Sequence, residues 1–235
     1  MTTPASCGKL KPIGPICRMS SITRKAIVSV TGILLLGFVI AHLLGNFQMF
    51  LGAEALNHYA EKLRSLGPIL WGMRIGLLTV FVLHILTALS LARENRAARP
   101  IPYANDKARK ATYASRVMVI SGMLVLVYVL YHLGHFTFGW VHGEHFHSAP
   151  GRTAHDVYGM VISSFQDPLI SGIYILSMAV LNFHLRQAII VFPQSIGLSN
   201  EKVLKQFNVW GTFLAYAIFL GYIAIPIAVL AGWVK

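Results

Sequence analysis

The chain has 235 residues, 55% of them hydrophobic and only 12% charged, with a formal net charge of +12. A soluble domain carries roughly twice that charged fraction, and here the apolar residues fall in long blocks, which excludes an ordinary soluble core. The positive charges flank those blocks, and no basic patch is interleaved with exposed aromatics in a polar context. A nucleic-acid binder is therefore excluded, and the charge is assigned to membrane orientation.

Residues 1–25 read as a basic, polar tail. Cys7 and Cys17 lie there, at a spacing that matches no zinc or redox motif, so they read as free thiols. The first apolar block covers 26–51, and no small-residue cleavage signal closes it, so it reads as a retained helix. Residues 53–66 (AEALNHYAEKLRSL) have helical periodicity and predict a short interfacial helix. A second block covers 69–93. Pro100, Pro102 and a run of charges make 94–113 a polar loop. A third block covers 116–141. Pro150, Gly151 and many polar groups make 142–167 a loop, with His142, His145, His147 and His155 as solvated residues. The last blocks cover 168–192 and 207–233. No internal repeat is strong enough to indicate duplication.

Each block supplies the roughly 20 residues that cross ~30 Å of hydrocarbon at 1.5 Å per residue. The expected fold is all-α: an integral membrane bundle of five transmembrane helices over 26–235, following the tail. Of the 20 Lys and Arg residues, 15 lie in the tail, the 94–113 loop with its flanks, and the end of the fourth span with the loop after it. Lys62, Arg64, Arg74, Arg152 and Lys235 take the other side. The richer side faces the cytoplasm, so the N-terminus is expected inside.

Ionisable groups at membrane depth are costly and usually functional. No acid lies deep in a span, but four histidines do: His42, His84, His132 and His184, one in each of the first four spans. His42 and His132 each stand 16 residues from the inner start of their spans, ~24 Å above the cytoplasmic edge. His84 and His184 stand nine and eight residues from the inner ends of theirs, ~12–14 Å above the same edge. The histidines thus form an outer pair, His42 with His132, and an inner pair, His84 with His184. The offset between pairs counts to ~10–12 Å. A low-spin haem takes two axial ligands at one level on facing helices, and neutral imidazole serves. Zinc or copper would need further ligands, and neither Cys nor acid lies at that depth. His135 competes with His132, lying on nearly the same face one turn outward. Gly32 and Gly122 each precede an outer histidine by ten residues. They either leave room for a flat macrocycle or serve ordinary small-residue packing.

The segments IAHLLGNFQMF, VLHILTALSLARENR, ISGMLVLVYVLYHL and VLNFHLRQA surround the four histidines. In order, spacing and topology the chain over residues 20–233 resembles the single-chain, five-helix, two-haem cytochrome b subunit of succinate:quinone oxidoreductases, a group that includes quinol:fumarate reductases. The resemblance implies four helices enclosing two stacked haem b groups, with His84 and His184 as axial ligands of the inner haem and His42 and His132 of the outer. It implies a multi-pass protein of the bacterial cytoplasmic membrane. Flavoprotein and iron–sulfur subunits would dock on the cytoplasmic side, within a higher oligomer of the whole complex. Electrons would pass to quinone, usually menaquinone in two-haem members. The succinate or fumarate site would lie on another chain, so no catalytic residue of that reaction is expected here. Arg24, Ser29 and Arg116 are placed for haem propionates near the inner face. His58 and Glu61, in the outer interfacial segment, are candidates at a quinone head group. Two other functions fit less well. A cytochrome b subunit of a hydrogenase or formate dehydrogenase would keep the haems and change the partner. A haem-free transporter or assembly protein would show broken helices and charged midplane residues, and neither is clear.

Overall fold

In a computed structural model of the chain, residues 19–97, 118–143, 156–198 and 200–235 are described. Cys7, Cys17, Arg116 and the histidines at 145, 147 and 155 lie outside them, as do most of the 94–113 loop and residues 144–155 of the 142–167 loop.

The described residues form seven α-helices. Helix α1 is Ser21–Asn46, continued by a 3-10 turn over Phe47–Leu51. Then come α2 (Ala53–Ser65), α3 (Pro68–Ala97), α4 (Met118–Phe136), α5 (Val157–Gln166), α6 (Pro168–Ser195) and α7 (Glu201–Leu230). Five of them, all but α2 and α5, are long and apolar enough to cross a membrane. No strand occurs among the described residues.

The helix starts are set by short polar side chains that satisfy the otherwise unpaired first amides. Ser20 accepts from Thr23 N at 3.1 Å, and Asn200 accepts from Lys202 N at 2.9 Å. Asp156 caps α5 through Gly159 N at 2.9 Å. Asp167 caps α6 through Leu169 N at 2.7 Å, with Pro168 in the first turn. With Glu54 and Glu201 in the first turns of α2 and α7, four of the chain's eight acids sit at helix N-termini, where the helix dipole favours negative charge.

These caps move several expected boundaries. Helix α1 begins five residues before the expected 26, α3 runs on to Ala97 through the first residues of the expected polar loop, and α7 begins six residues early. The third span ends at Phe136 and not 141: Phe138 N and Trp140 N close back onto Leu133 O and Gly134 O, and Gly139 takes φ 65, a left-handed turn that suits glycine. The helix expected over 53–66 is present as α2. The 142–167 segment is not all loop, because Val157–Gln166 forms α5. Its sequence, VYGMVISSFQ, is apolar enough to pack, and Asp156 nucleates it.

We call the end where α1 begins the lower end and the end bearing α2 and α5 the upper end. The upper end is the better packed. Met49, Leu56, Ile162, Phe165, Ile170, Tyr174, Ile225 and Val229 form one buried cluster there. Asn57 ties α2 to α5, donating to Asp156 Oδ1 at 2.8 Å and accepting from Tyr158 N at 3.0 Å. Trp71, Trp140 and Trp233 are all exposed at this end, as expected of aromatic anchors at a membrane interface. Helices α6 and α7 pack most extensively, and Gly211 lets Ile189 approach. By contrast α3 rests almost wholly on α1, and of its 30 residues only Thr87 is buried. Its exposed face is Ile, Leu, Met, Val and Trp, a surface suited to lipid.

Candidate functional site: two histidine pairs

The four membrane-depth histidines come from α1, α3, α4 and α6. At the upper level the rings of His42 and His132 meet edge to face with centroids 5.9 Å apart. Phe38 stacks on His42 at 5.3 Å. Tyr128, Phe136 and Tyr174 surround His132 at 5.6 to 5.9 Å.

The lower level is built differently. His84 Nδ1 lies 3.0 Å from Thr31 Oγ1 of α1, and a Cβ added to Gly32 would come within 3.3 Å of His84 Cε1. On α4 the same arrangement recurs. Ser121 Oγ lies 3.2 Å from His184 Nδ1, and a Cβ on Gly122 would come within 3.1 Å of His184 Cε1. A hydroxyl–glycine dipeptide therefore cradles each lower imidazole. The two glycines leave room for the edges of these rings.

The hydroxyls also set the tautomer. Thr31 Oγ1 lies 2.6 Å from Ile27 O, and Ser121 Oγ lies 3.0 Å from Met118 O. A carbonyl only accepts, so each hydroxyl spends its one proton there and can only accept from the imidazole. His84 and His184 then carry hydrogen on Nδ1 and keep a lone pair on Nε2, the form that binds a metal.

Both dipeptides stand at the same remove from the upper histidines. Thr31 precedes His42 by eleven residues and Ser121 precedes His132 by eleven. Since α1 and α4 run in parallel and their histidines meet at the top, the two lower cradles also share a level. Eleven residues at 1.5 Å each place each cradle hydroxyl about 16 Å along the helix from the upper histidine.

His135 is fully buried and not idle. Its Nδ1 lies 3.0 Å from Tyr174 Oη and its Nε2 3.1 Å from Ser164 Oγ. Both ring nitrogens are thus engaged, unlike a ligand nitrogen. Tyr174 Oη also lies 3.4 Å from His132 Nδ1.

At the lower end Arg24 is buried. It donates to Ser90 Oγ at 2.8 Å and forms an ion pair with Glu94. Its Nε is buried without a hydrogen-bond partner among the described residues. Ser29 lies about 200° around α1 from Thr31, on the far side from His84. His58 and Glu61 are exposed on α2, whose packed face is made by Leu56, Asn57 and Tyr59. Thr31, Ser121, Tyr174, Ser164 and Glu94 escaped the sequence reading. The shared pattern of hydroxyl, glycine, nine residues and histidine was the available signal for the first two.

No protein-family model, curated protein or solved structure matches the chain.

Proposed function

We propose that the chain is a dihaem cytochrome b that anchors a succinate:quinone or quinol:fumarate oxidoreductase in the bacterial cytoplasmic membrane. The observation that carries the haem reading is the doubled cradle: two imidazoles each held through Nδ1 by a hydroxyl of a neighbouring helix, and a second pair one helical step above. His42 and His132, with ring centroids 5.9 Å apart, would be the residues that hold the upper haem. Among the described residues no group of three or more His, Cys, Asp or Glu side chains converges. A structural zinc site takes four ligands, so a pair of imidazoles suits a metal whose remaining positions a macrocycle fills. The unpartnered Arg24 Nε is a donor that a propionate would satisfy.

In this reading His84 and His184 hold the lower haem, and His42 and His132 the upper. Bound haem supplies one-electron transfer with a potential tuned by its ligands. The chain's own residues orient the imidazoles, exclude water with apolar helices and set the spacing of the two levels. The excess of Lys and Arg at the lower end makes that end cytoplasmic, where the flavoprotein and iron–sulfur subunits would dock. Quinone, menaquinone by the family's habit, would exchange electrons near the upper haem. The partner identity rests on the resemblance of the histidine-bearing segments.

Pyridine haemochrome analysis of the purified chain should give about two haems per polypeptide, and a value near zero or one ends the two-haem reading. Subunits that copurify should carry flavin and iron–sulfur clusters. Copurification of a hydrogenase or formate dehydrogenase subunit instead would move the chain to that family.

A further inference from the structure

The upper pair lacks the hydroxyl–glycine cradle of the lower pair. In its place a longer connection leads away from His132, and its proton order can be worked out from the far end. Ser164 Oγ lies 2.7 Å from Met160 O; the carbonyl only accepts, so the serine proton goes there. Ser164 Oγ is then an acceptor toward His135 Nε2 at 3.1 Å, so that nitrogen carries the hydrogen. Complete burial favours the neutral imidazole, and with His135 neutral a lone pair is left on its Nδ1. Tyr174 Oη, 3.0 Å away, must donate to it. The one phenolic proton is now committed, and toward His132 Nδ1 at 3.4 Å the tyrosine can only accept. His132 therefore bears its hydrogen on Nδ1, with the lone pair on Nε2.

We propose that Tyr174, His135 and Ser164 form a directed hydrogen-bond chain that fixes His132 as its Nδ1–H tautomer, with Tyr174 the positioning residue of the upper pair. The proposal rests on the dihaem reading. It gives His135, the rival ligand in the sequence, a defined place behind the ligand. It also gives α5 a function, because the chain ends on that helix's backbone.

A hydrogen bond accepted from a ligating imidazole raises its basicity. The effect favours the ferric state. An acceptor that itself donates onward is polarised and accepts more strongly, so Tyr174 acts on His132 with His135 behind it. The tyrosine ring is independently held: Phe165 packs on it at 5.0 Å and Tyr128 and Phe136 at 5.6 Å. Tyr174→Phe therefore removes the hydroxyl and keeps the packing.

The test compares wild type, Tyr174→Phe and Ser164→Ala as full-length protein from membranes. Haem is counted by pyridine haemochrome, midpoint potentials are taken by optical redox titration, and the low-spin signals by electron paramagnetic resonance. Tyr174→Phe should keep two haems. One midpoint potential should rise and one low-spin signal shift, those of the haem lost in His42→Ala, with the other haem unchanged. Ser164→Ala should move the same haem in the same direction by less, and it decides the matter alone if Tyr174→Phe does not accumulate. Two haems with neither potential moved in either variant overturns the chain while leaving the dihaem reading intact. Equal movement of both haems also overturns it, since that marks a general packing effect. Wild type without haem overturns the dihaem reading and this proposal together.

Discussion

Thr31 Oγ1 stands 3.0 Å from His84 Nδ1 while its proton is held by its own helix, at Ile27 O. The hydroxyl is thus an acceptor on a rigid mount, and the imidazole of α3 is oriented by α1. Loss of such an outer partner typically costs 10–100-fold in metal-site affinity. Thr31→Val, close in shape but without the oxygen, should weaken haem retention at the lower pair by about that factor. Ser121→Ala should do the same through His184. Haem content after stepwise detergent washing measures it. Equal retention in wild type and both variants would remove the tautomer argument.

Substitution of the paired glycines should act on the same rings by contact. A methyl at Gly122 would stand 3.1 Å from His184 Cε1 and one at Gly32 3.3 Å from His84 Cε1. Both are tight, so Gly122→Ala should perturb the lower haem spectrum more than Gly32→Ala. Valine at either position should displace the ring and deplete that haem. The upper haem should be spared in every case. Low-temperature optical spectra would reveal a reversed order or an upper-haem effect.

Each histidine has an assigned partner. His84→Ala and His184→Ala should lose the same haem, and His42→Ala and His132→Ala the other, because a bis-imidazole site needs both ligands. His135→Ala should keep both haems and alter only the upper one. Membrane levels of each variant must be followed by immunoblot, since failed assembly also removes haem. Loss of one common haem in His42→Ala and His84→Ala would break the pairing.

Arg24 and Glu94 couple the start of α1 to the end of α3. Glu94 is 48% exposed, so the pair should contribute on the order of 1 kcal/mol, near the value for surface ion pairs. Glu94→Gln should lower the melting temperature of the detergent-solubilised protein slightly, and Arg24→Ala more, since the guanidinium is buried and also holds Ser90. If Arg24→Ala melted with wild type, α3 would be held to α1 by apolar contact alone.

Topology can be read at described positions. With Cys7 and Cys17 replaced by serine, Asn95→Cys should react with an impermeant maleimide only from the cytoplasmic side, and Glu61→Cys only from the opposite side. The reverse pattern would invert the orientation.

The five spans were legible because a bilayer asks for length and apolarity, and both are written along the chain. The histidines were legible because imidazole is rare at that depth. What escaped depends on register. Thr31 and Ser121 look in sequence like hydroxyls bonding back to their own helix, which they are; that they also face an imidazole follows only once α3 and α6 are placed beside them. Nothing in the sequence sets Tyr174 apart from the other aromatics of the spans. Helix α5 was hidden by the proline and glycine upstream, although Asp156 followed by VYGMVISSFQ carries a cap and an apolar face. His58 and Glu61 have the chemistry and the level for a quinone head group, and the sequence has no means of telling which face of α2 is turned outward.

The eleven-residue interval on α1 and α4 has one more consequence. Eleven residues are three helical turns and about 20°, so the lower cradle and the upper histidine of each helix lie on one stripe. The distance from each lower cradle to the upper histidine of the same helix is then a covalent length, carried by an unbroken hydrogen-bonded rod. Repacking of the lipid-facing helices can tilt the rod but cannot rescale it. An inserted residue between Gly32 and His42 would swing the upper ligand by 100° and leave the lower one in register. The interval is therefore a gauge, machined twice into the same chain.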